Sequence, residues 1–259
     1  MANLEGKTAI VTGSSRGIGR AIAMRLAQDG ARVVVCARTS SALDDVVRQI
    51  EAASGAAAAL ALDLREPAAP SRLVDFAVRT FGRLDIVVNN AGATRRGLFV
   101  QLRDEDWEDS FALKFFGAVR VTREAWPHLQ KSKGSVVFIS GAGGRTPGAE
   151  FAAGGAVNAG LLSITKALAE TGIRDGVQVN SVNPGAVRTD RLKARLAAAM
   201  QEKGIDLSAA ERQFVEGSGV TKIGEPEEIA ALVSFVVGPE GRFLHGSLID
   251  MDGGATKTI

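Results

Sequence analysis

Seven short apolar runs, at 8–11, 32–35, 57–62, 84–88, 136–139, 177–182 and 247–249, alternate with longer helical patterns along the chain. Runs this short that are largely apolar belong to strands covered on both faces, and a helical stretch after each is the crossover that parallel pairing demands. The pattern predicts an α/β fold, a doubly wound parallel sheet of the Rossmann type with about seven strands and helices on both faces. Helical stretches are expected from 18, from 40, after Pro67, and near 104–130, 151–171 and 226–237. No linker rich in Pro, Gly or Ser divides the alternation and no internal repeat is visible, so 1–259 is expected to form one domain. The segment 186–224 breaks the rhythm: it is polar and helical and follows a strand's carboxyl end, where lids over ligands sit.

The first run passes through Thr12 into Gly13, Ser14, Ser15, Arg16, Gly17, Ile18 and Gly19, and the last two already belong to an apolar-periodic helix. Between a strand and a helix, the first glycine permits the turn, the second lets backbone approach a pyrophosphate, and the third lets helix and strand pack closely. The helix N–H groups then face phosphate, so the loop is expected to hold a dinucleotide. A purely structural tight turn is the alternative. Composition points to no other partner: 31 basic and 29 acidic residues are dispersed, with no stripe for nucleic acid. No run reaches the ~18 apolar residues of a membrane span, and the lone Cys36 fits a reducing compartment, so a cytoplasmic protein is expected. Neither His128 nor His245 has the spacing of a metal or nucleophile site, and no metal is expected.

The spacing Thr-Gly-x3-Gly-x-Gly resembles the short-chain dehydrogenase/reductase family, and further matches follow in order along nearly the whole chain. They are Asp63-Leu64, Asn89-Asn90-Ala91-Gly92, the 183–189 segment containing Pro184, Gly185, Val187 and Thr189, and Asp252-Gly253-Gly254. The resemblance implies that Asp63 and Leu64 contact adenine, that Asn90, Ala91 and Gly92 line the cofactor, and that Pro184, Gly185, Val187 and Thr189 lie on its nicotinamide side. Members that prefer NAD carry an acid at the end of the second strand, where this chain has Ala37 and then Arg38. Arg16 and Arg38 offer guanidinium forks suited to a 2′-phosphate, so NADP(H) is favoured over NAD(H). Two solvated surface arginines are the alternative.

The resemblance also implies a catalytic tetrad of Asn, Ser, Tyr and Lys. Counting along the motifs places Lys114 where the family has Asn, Gly141 for Ser, Gly154 for Tyr and Asn158 for Lys, and the chain contains no tyrosine. Lys114 and Asn158 reverse the family's Asn and Lys, which suggests an ammonium and an amide still sharing one cleft. Drift is the competing explanation. Ser140 stands one residue from the Ser position, on the opposite face of a strand. Glu150, Arg188 and Asp190 are further ionisable residues able to face the cleft, and Arg95 and Arg96 are candidates for contact with an anionic substrate or an acyl carrier. With glycine at 141 and 154 and many small residues over 148–155, a roomier cleft than in relatives is expected.

Three functions follow from this reading: an NADP(H)-dependent carbonyl/alcohol oxidoreductase with a replaced acid/base, a cofactor-binding subunit without chemistry of its own in a mixed oligomer with an active relative, or a non-redox lyase or isomerase using the enlarged cleft. Lys114, Asn158 and Glu150 are the catalytic candidates. Family resemblance also implies a homo-oligomer, dimer or tetramer, with close approach of helices allowed by Gly160 and nearby alanines.

Overall fold

In the computed structural model, which describes residues 3–258, seven strands join one parallel sheet in the order β3-β2-β1-β4-β5-β6-β7. The ends of the expected 1–259 unit lie outside the described residues. The strands are β1 (Thr8–Thr12), β2 (Arg32–Ala37), β3 (Ala56–Ala61), β4 (Ile86–Asn89), β5 (Ser135–Ile139), β6 (Gln178–Pro184) and β7 (Leu248–Met251). After β3 the chain crosses back over β1 to lay down β4, so the strand order reverses between β1 and β4. Loops leaving the carboxyl ends of two strands on either side of such a reversal diverge to opposite faces and leave a crevice between them.

The pleat divides the core into two layers. Ala9, Val11, Val33 and Val35 face helices α1 (Gly17–Gln28), α2 (Ser40–Ala52) and α9 (Pro226–Val237), where Ile22, Leu43 and Val233 are buried. Ile10, Val34 and Cys36 face the other way, toward α3 (Ala69–Phe81), α5 (Gly117–Ser132) and α6 (Ala152–Asp175). Burial pushes the Cys36 thiol up to about 12, with the Asp63 carboxylate adding to the shift, so the sulfur is an inert packing group. His245 likewise serves the scaffold, its ring nitrogen 2.7 Å from the Ala169 carbonyl.

One feature differs from the sequence expectation. The helix expected near 104–130 is α4 (Asp104–Ser110), a π-helical turn at Phe111–Phe116, and then α5. A π-turn widens the helix by one residue per turn and re-aims the side chains it carries, which periodicity alone does not register. At Gly160, which is half-buried, a Cβ would stand 3.1 Å from the Phe115 ring of the same chain. The inserted segment forms α7 (Asp190–Lys203) and α8 (Leu207–Ser218), which carry a small core of their own around Leu192, Leu196, Ala210 and Ile223. Among the described residues no helix is long and apolar enough to cross a membrane, and no group of three potential metal ligands gathers.

Candidate active site

The glycine loop sits at the strand reversal and is clamped from both sides. Gly13 N and Ser14 N donate to Cys36 O at 2.7 and 3.2 Å, and the Ser14 hydroxyl accepts from Cys36 N at 2.9 Å. From the loop just after β4, Asn90 Nδ2 donates to Thr12 O and Gly13 O at 3.0 and 3.1 Å, while Thr12 Oγ1 accepts from Asn90 N and Ala91 N, both at 3.0 Å. No room remains for side chains here. A Cβ at Gly19 would lie 2.3 Å from Gly13 O, and one at Gly13 2.8 Å from Ala91 Cα. Helix α1 begins without a side-chain cap, so its first-turn N–H groups remain open to an anion.

Not every residue expected to face a ligand does so with its side chain. Ser14 is fully buried and spends its hydroxyl on the Cys36 backbone, so its role is corrected to holding the loop. Ile18 and Val187 pack into the core, and Leu64 is buried. Asp63 accepts from the Arg65 backbone N–H and guanidinium, both at 3.0 Å. Gly185, which follows Pro184 at the end of β6, packs on Asp252, whose Cα would be 2.7 Å from an added Cβ. Thr189 crosses over Gly17, its Cγ2 3.2 Å from where a Cβ would stand. Ser15, Arg16, Gly17 and Thr189 together line a cavity of about 480 Å³. Arg38 is exposed and forms no ion pair among the described residues, and Arg16 lies 3.7 Å from the exposed Asp190.

Three of the residues at the four expected catalytic positions, Lys114, Gly141 and Asn158, meet. The π-turn carries Lys114 across the mouth of β4 to β5 and α6, where its Nζ donates to Ser140 O and to Asn158 Oδ1, both at 2.6 Å. The stem lies against Gly92, where a Cβ would come within 2.8 Å of Lys114 Cδ. Burial, with the charge of Arg191 adding to it, lowers the Lys114 ammonium to about 7. Asn158 is almost fully buried, and its Nδ2 fills the space beside Gly141. The Ser140 hydroxyl donates to Asn158 O at 3.0 Å and is spent on the helix.

The roomier cleft expected from the glycines is not present. A Cβ at Gly154 would stand 2.2 Å from the Phe151 ring, and one at Gly143 2.7 Å from the same ring. Phe151, three residues upstream on the entry to α6, folds back over the space a side chain at 154 would use. Gly154→Tyr is therefore expected to lose about 1–3 kcal/mol of stability through overpacking, with part recovered when Phe151→Ala is added. Thermal unfolding of the single and double variants measures this, and a single variant as stable as the wild type would show that the ring yields freely.

Among the remaining candidates, Glu150 is exposed and no contact joins it to Lys114 or Asn158 among the described residues; its backbone O accepts from Gly97 N at 3.0 Å. Arg188 is turned from the cleft by ion pairs with Glu211 and Glu225. Arg95 faces Asp106 at 3.7 Å, whereas Arg96 lies over the Phe151 ring, 4.4 Å from its centroid. Sequence reasoning missed three residues. Thr12 is the hub of the loop clamp, and its place just before Gly13 was the available signal. Phe151 and Arg191, whose Nη2 donates to Gly92 O at 3.2 Å, carry no local signal.

The seven-stranded parallel sheet, its reversal at β1 and β4, and the glycine loop lodged there define a Rossmann-type protein. The model of the short chain dehydrogenase family matches residues 7–200, and the chain belongs to that family. It is 37% identical over 258 residues to an uncharacterized oxidoreductase of Mycobacterium tuberculosis, covering 99% of this chain and 94% of that one. Its fold matches L-sorbose reductase from Gluconobacter frateurii, complexed with NADPH and L-sorbose, with a TM-score of 0.95 at 28% identity over 100% and 99% of the two chains. A short chain dehydrogenase from Burkholderia cenocepacia in complex with NADP matches with a TM-score of 0.84 at 34% identity over 98% and 99%.

Proposed function

We propose that this chain is an NADP(H)-dependent oxidoreductase of carbonyl and alcohol substrates in which Lys114 gives and takes the proton that the family's tyrosine handles. In this reading Lys114, Gly141, Gly154 and Asn158 stand in place of the usual Asn, Ser, Tyr and Lys. The observation that carries it is the seat of the Lys114 amine, fixed on Ser140 O and Asn158 Oδ1 and brought to about 7 by its surroundings.

A primary amine has two N–H groups and a lone pair, and its ammonium has three N–H groups. Two are used on the fixed acceptors, which leaves one position on nitrogen for a substrate oxygen in either protonation state. A group that titrates near the working pH serves equally well as donor and acceptor. Asn158 holds the amine through its Oδ1, a positioning role.

The glycine cradle fits a dinucleotide. The crowding at Gly13 and Gly19 and the uncapped start of α1 suit close approach of a pyrophosphate, with Asn90, Ala91, Gly92, Pro184, Gly185 and Thr189 around the rest of the crevice. Arg16 and Arg38 are the groups for a 2′-phosphate, a reading supported by the two solved relatives bound to NADPH and NADP. The bound nucleotide supplies or accepts hydride.

The test is oxidation of NADPH by the purified protein over a panel of ketones and aldehydes, with NADH as the comparison. Turnover with NADPH is expected, and Arg38→Ala should raise the Kd for NADPH about 10-fold or more, the scale of a charge-assisted pair, while moving that for NADH little. Equal affinity for the two nucleotides in the wild type overturns the assignment of Arg16 and Arg38. Tight NADPH binding with no turnover would favour the cofactor-binding subunit instead. The non-redox reading rested on an enlarged cleft, and Phe151 fills it.

A further inference from the structure

Arg96 and Arg191 reach the edge of the cleft from two directions, on Phe151 and on Gly92, and neither they nor Arg195 has a carboxylate partner within ion-pair distance among the described residues. Arg191 and Arg195 stand one turn apart on α7, so their side chains share a face. Arg191 crosses to Gly92 O, the same glycine that receives the Lys114 stem. Arg96 comes from the loop after β4 and stacks on Phe151, the ring covering Gly154. Arg195 is stacked on Phe214 of α8, 5.0 Å from the ring centroid. Each keeps exposed surface, while the guanidinium groups of Arg96 and Arg191 are partly shielded by surrounding protein.

Protein packed around the Arg96 guanidinium lowers it below its usual range, and the charges of Arg195 and then Arg191 add to that shift. The neighbouring carboxylates are largely engaged elsewhere, Asp190 with Arg16, Asp106 with Arg95 and Asp109 with Arg65, and only the exposed Glu150 offsets Arg96. Like charges gathered without counter-charge cost free energy in the free protein, and an anion seated among them removes that cost. Arg191 also lines a cavity of about 350 Å³ with Thr94, Arg95, Ser110, Asp106 and Asp109, the two carboxylates being those already paired with Arg95 and Arg65.

We infer that the substrate is a carbonyl compound, or the corresponding alcohol, bearing an anionic group that Arg96, Arg191 and Arg195 bind while Lys114 addresses the reacting oxygen. Planar guanidinium forks suit a carboxylate or a phosphate, and both are offered by this chemistry. The inference rests on the proposed oxidoreductase function for the reaction, and on the arginines alone for the anion.

The two parts separate experimentally. Calorimetric titration of the protein loaded with NADP+ with acetate and with inorganic phosphate reads the anion site without turnover. Saturable binding of one of them in the wild type, weakened about 10-fold or more in Arg96→Gln and in Arg191→Gln, supports the site and tells carboxylate from phosphate. Binding of neither, or equal binding in the variants, overturns it. In the reductase assay, acetoacetate is compared with methyl acetoacetate, and dihydroxyacetone phosphate with dihydroxyacetone. The charged member of one pair should show at least about a 10-fold higher kcat/KM, and the ratio should fall toward one in the arginine variants. A variant effect confined to the KM for NADPH would reassign the arginines to the nucleotide. Anion binding without turnover of any substrate sinks the catalytic reading and leaves the anion site standing.

Discussion

Lys114→Met is expected to lower kcat for carbonyl reduction by about 10²- to 10⁴-fold, the usual worth of a positioned acid/base, while NADPH still binds. Methionine keeps the apolar stem against Gly92 and removes only the amine, so the loss reports proton transfer and not a hole in the packing. Lys114→Arg should fail as badly, because a guanidinium keeps its charge but does not release a proton near neutrality. The wild-type pH profile carries the sign. Reduction needs the ammonium to donate to the carbonyl oxygen, so its kcat/KM should fall as pH rises through about 7; oxidation needs the neutral amine and should rise over the same range. A reduction rate that stays flat to pH 9, or a Met variant with wild-type turnover, would remove Lys114 from the chemistry. Stability moves with the same group. Its folded value lies below the ordinary lysine value of 10.5, so the unfolded chain binds more protons between the two, and stability should rise with pH across that window. The Met variant should lack this slope.

Gly19→Ala should weaken NADPH binding by about tenfold or more and lower stability by about 1–3 kcal/mol. The added carbon would meet Gly13 O at 2.3 Å and Asn90 Nδ2 at 2.4 Å, and the first of these is backbone already committed to the loop clamp. Neither atom retreats without opening the bonds that join the loop to β4. Gly217, near the end of α8, has nothing within 4 Å of its Cβ position, and Gly217→Ala should leave binding unchanged and raise stability by up to about 1 kcal/mol through helix propensity. Nucleotide titration and thermal unfolding of both variants decide the matter. Unchanged NADPH affinity in Gly19→Ala would show that the crevice does not seat the nucleotide against this loop.

The sequence by itself determined the sheet and the place of its crevice. Apolar runs with helices between them leave a parallel sheet as the compatible arrangement, and the glycines after β1 mark the reversal because backbone there must pass within contact of β4. The meeting of Lys114 with Asn158 was also legible, since family spacing put both at one site, and they bond directly at 2.6 Å. Tertiary structure alone decided the rest. Local pattern records which face of an element is buried, but it does not record which distant side chain fills a given space. Phe151 fills the room that Gly154 leaves, Ser14 spends its hydroxyl on β2, and a π-turn aims Lys114 at β5 and α6. Arg96 and Arg191 lie far apart in the chain, and Arg96 reaches Phe151 and Arg191 reaches Gly92 only because the loop after β4 and the start of α7 close over the same strand ends. Packing density and like-charge proximity depend on separations in space, and those are set when the layers close on one another.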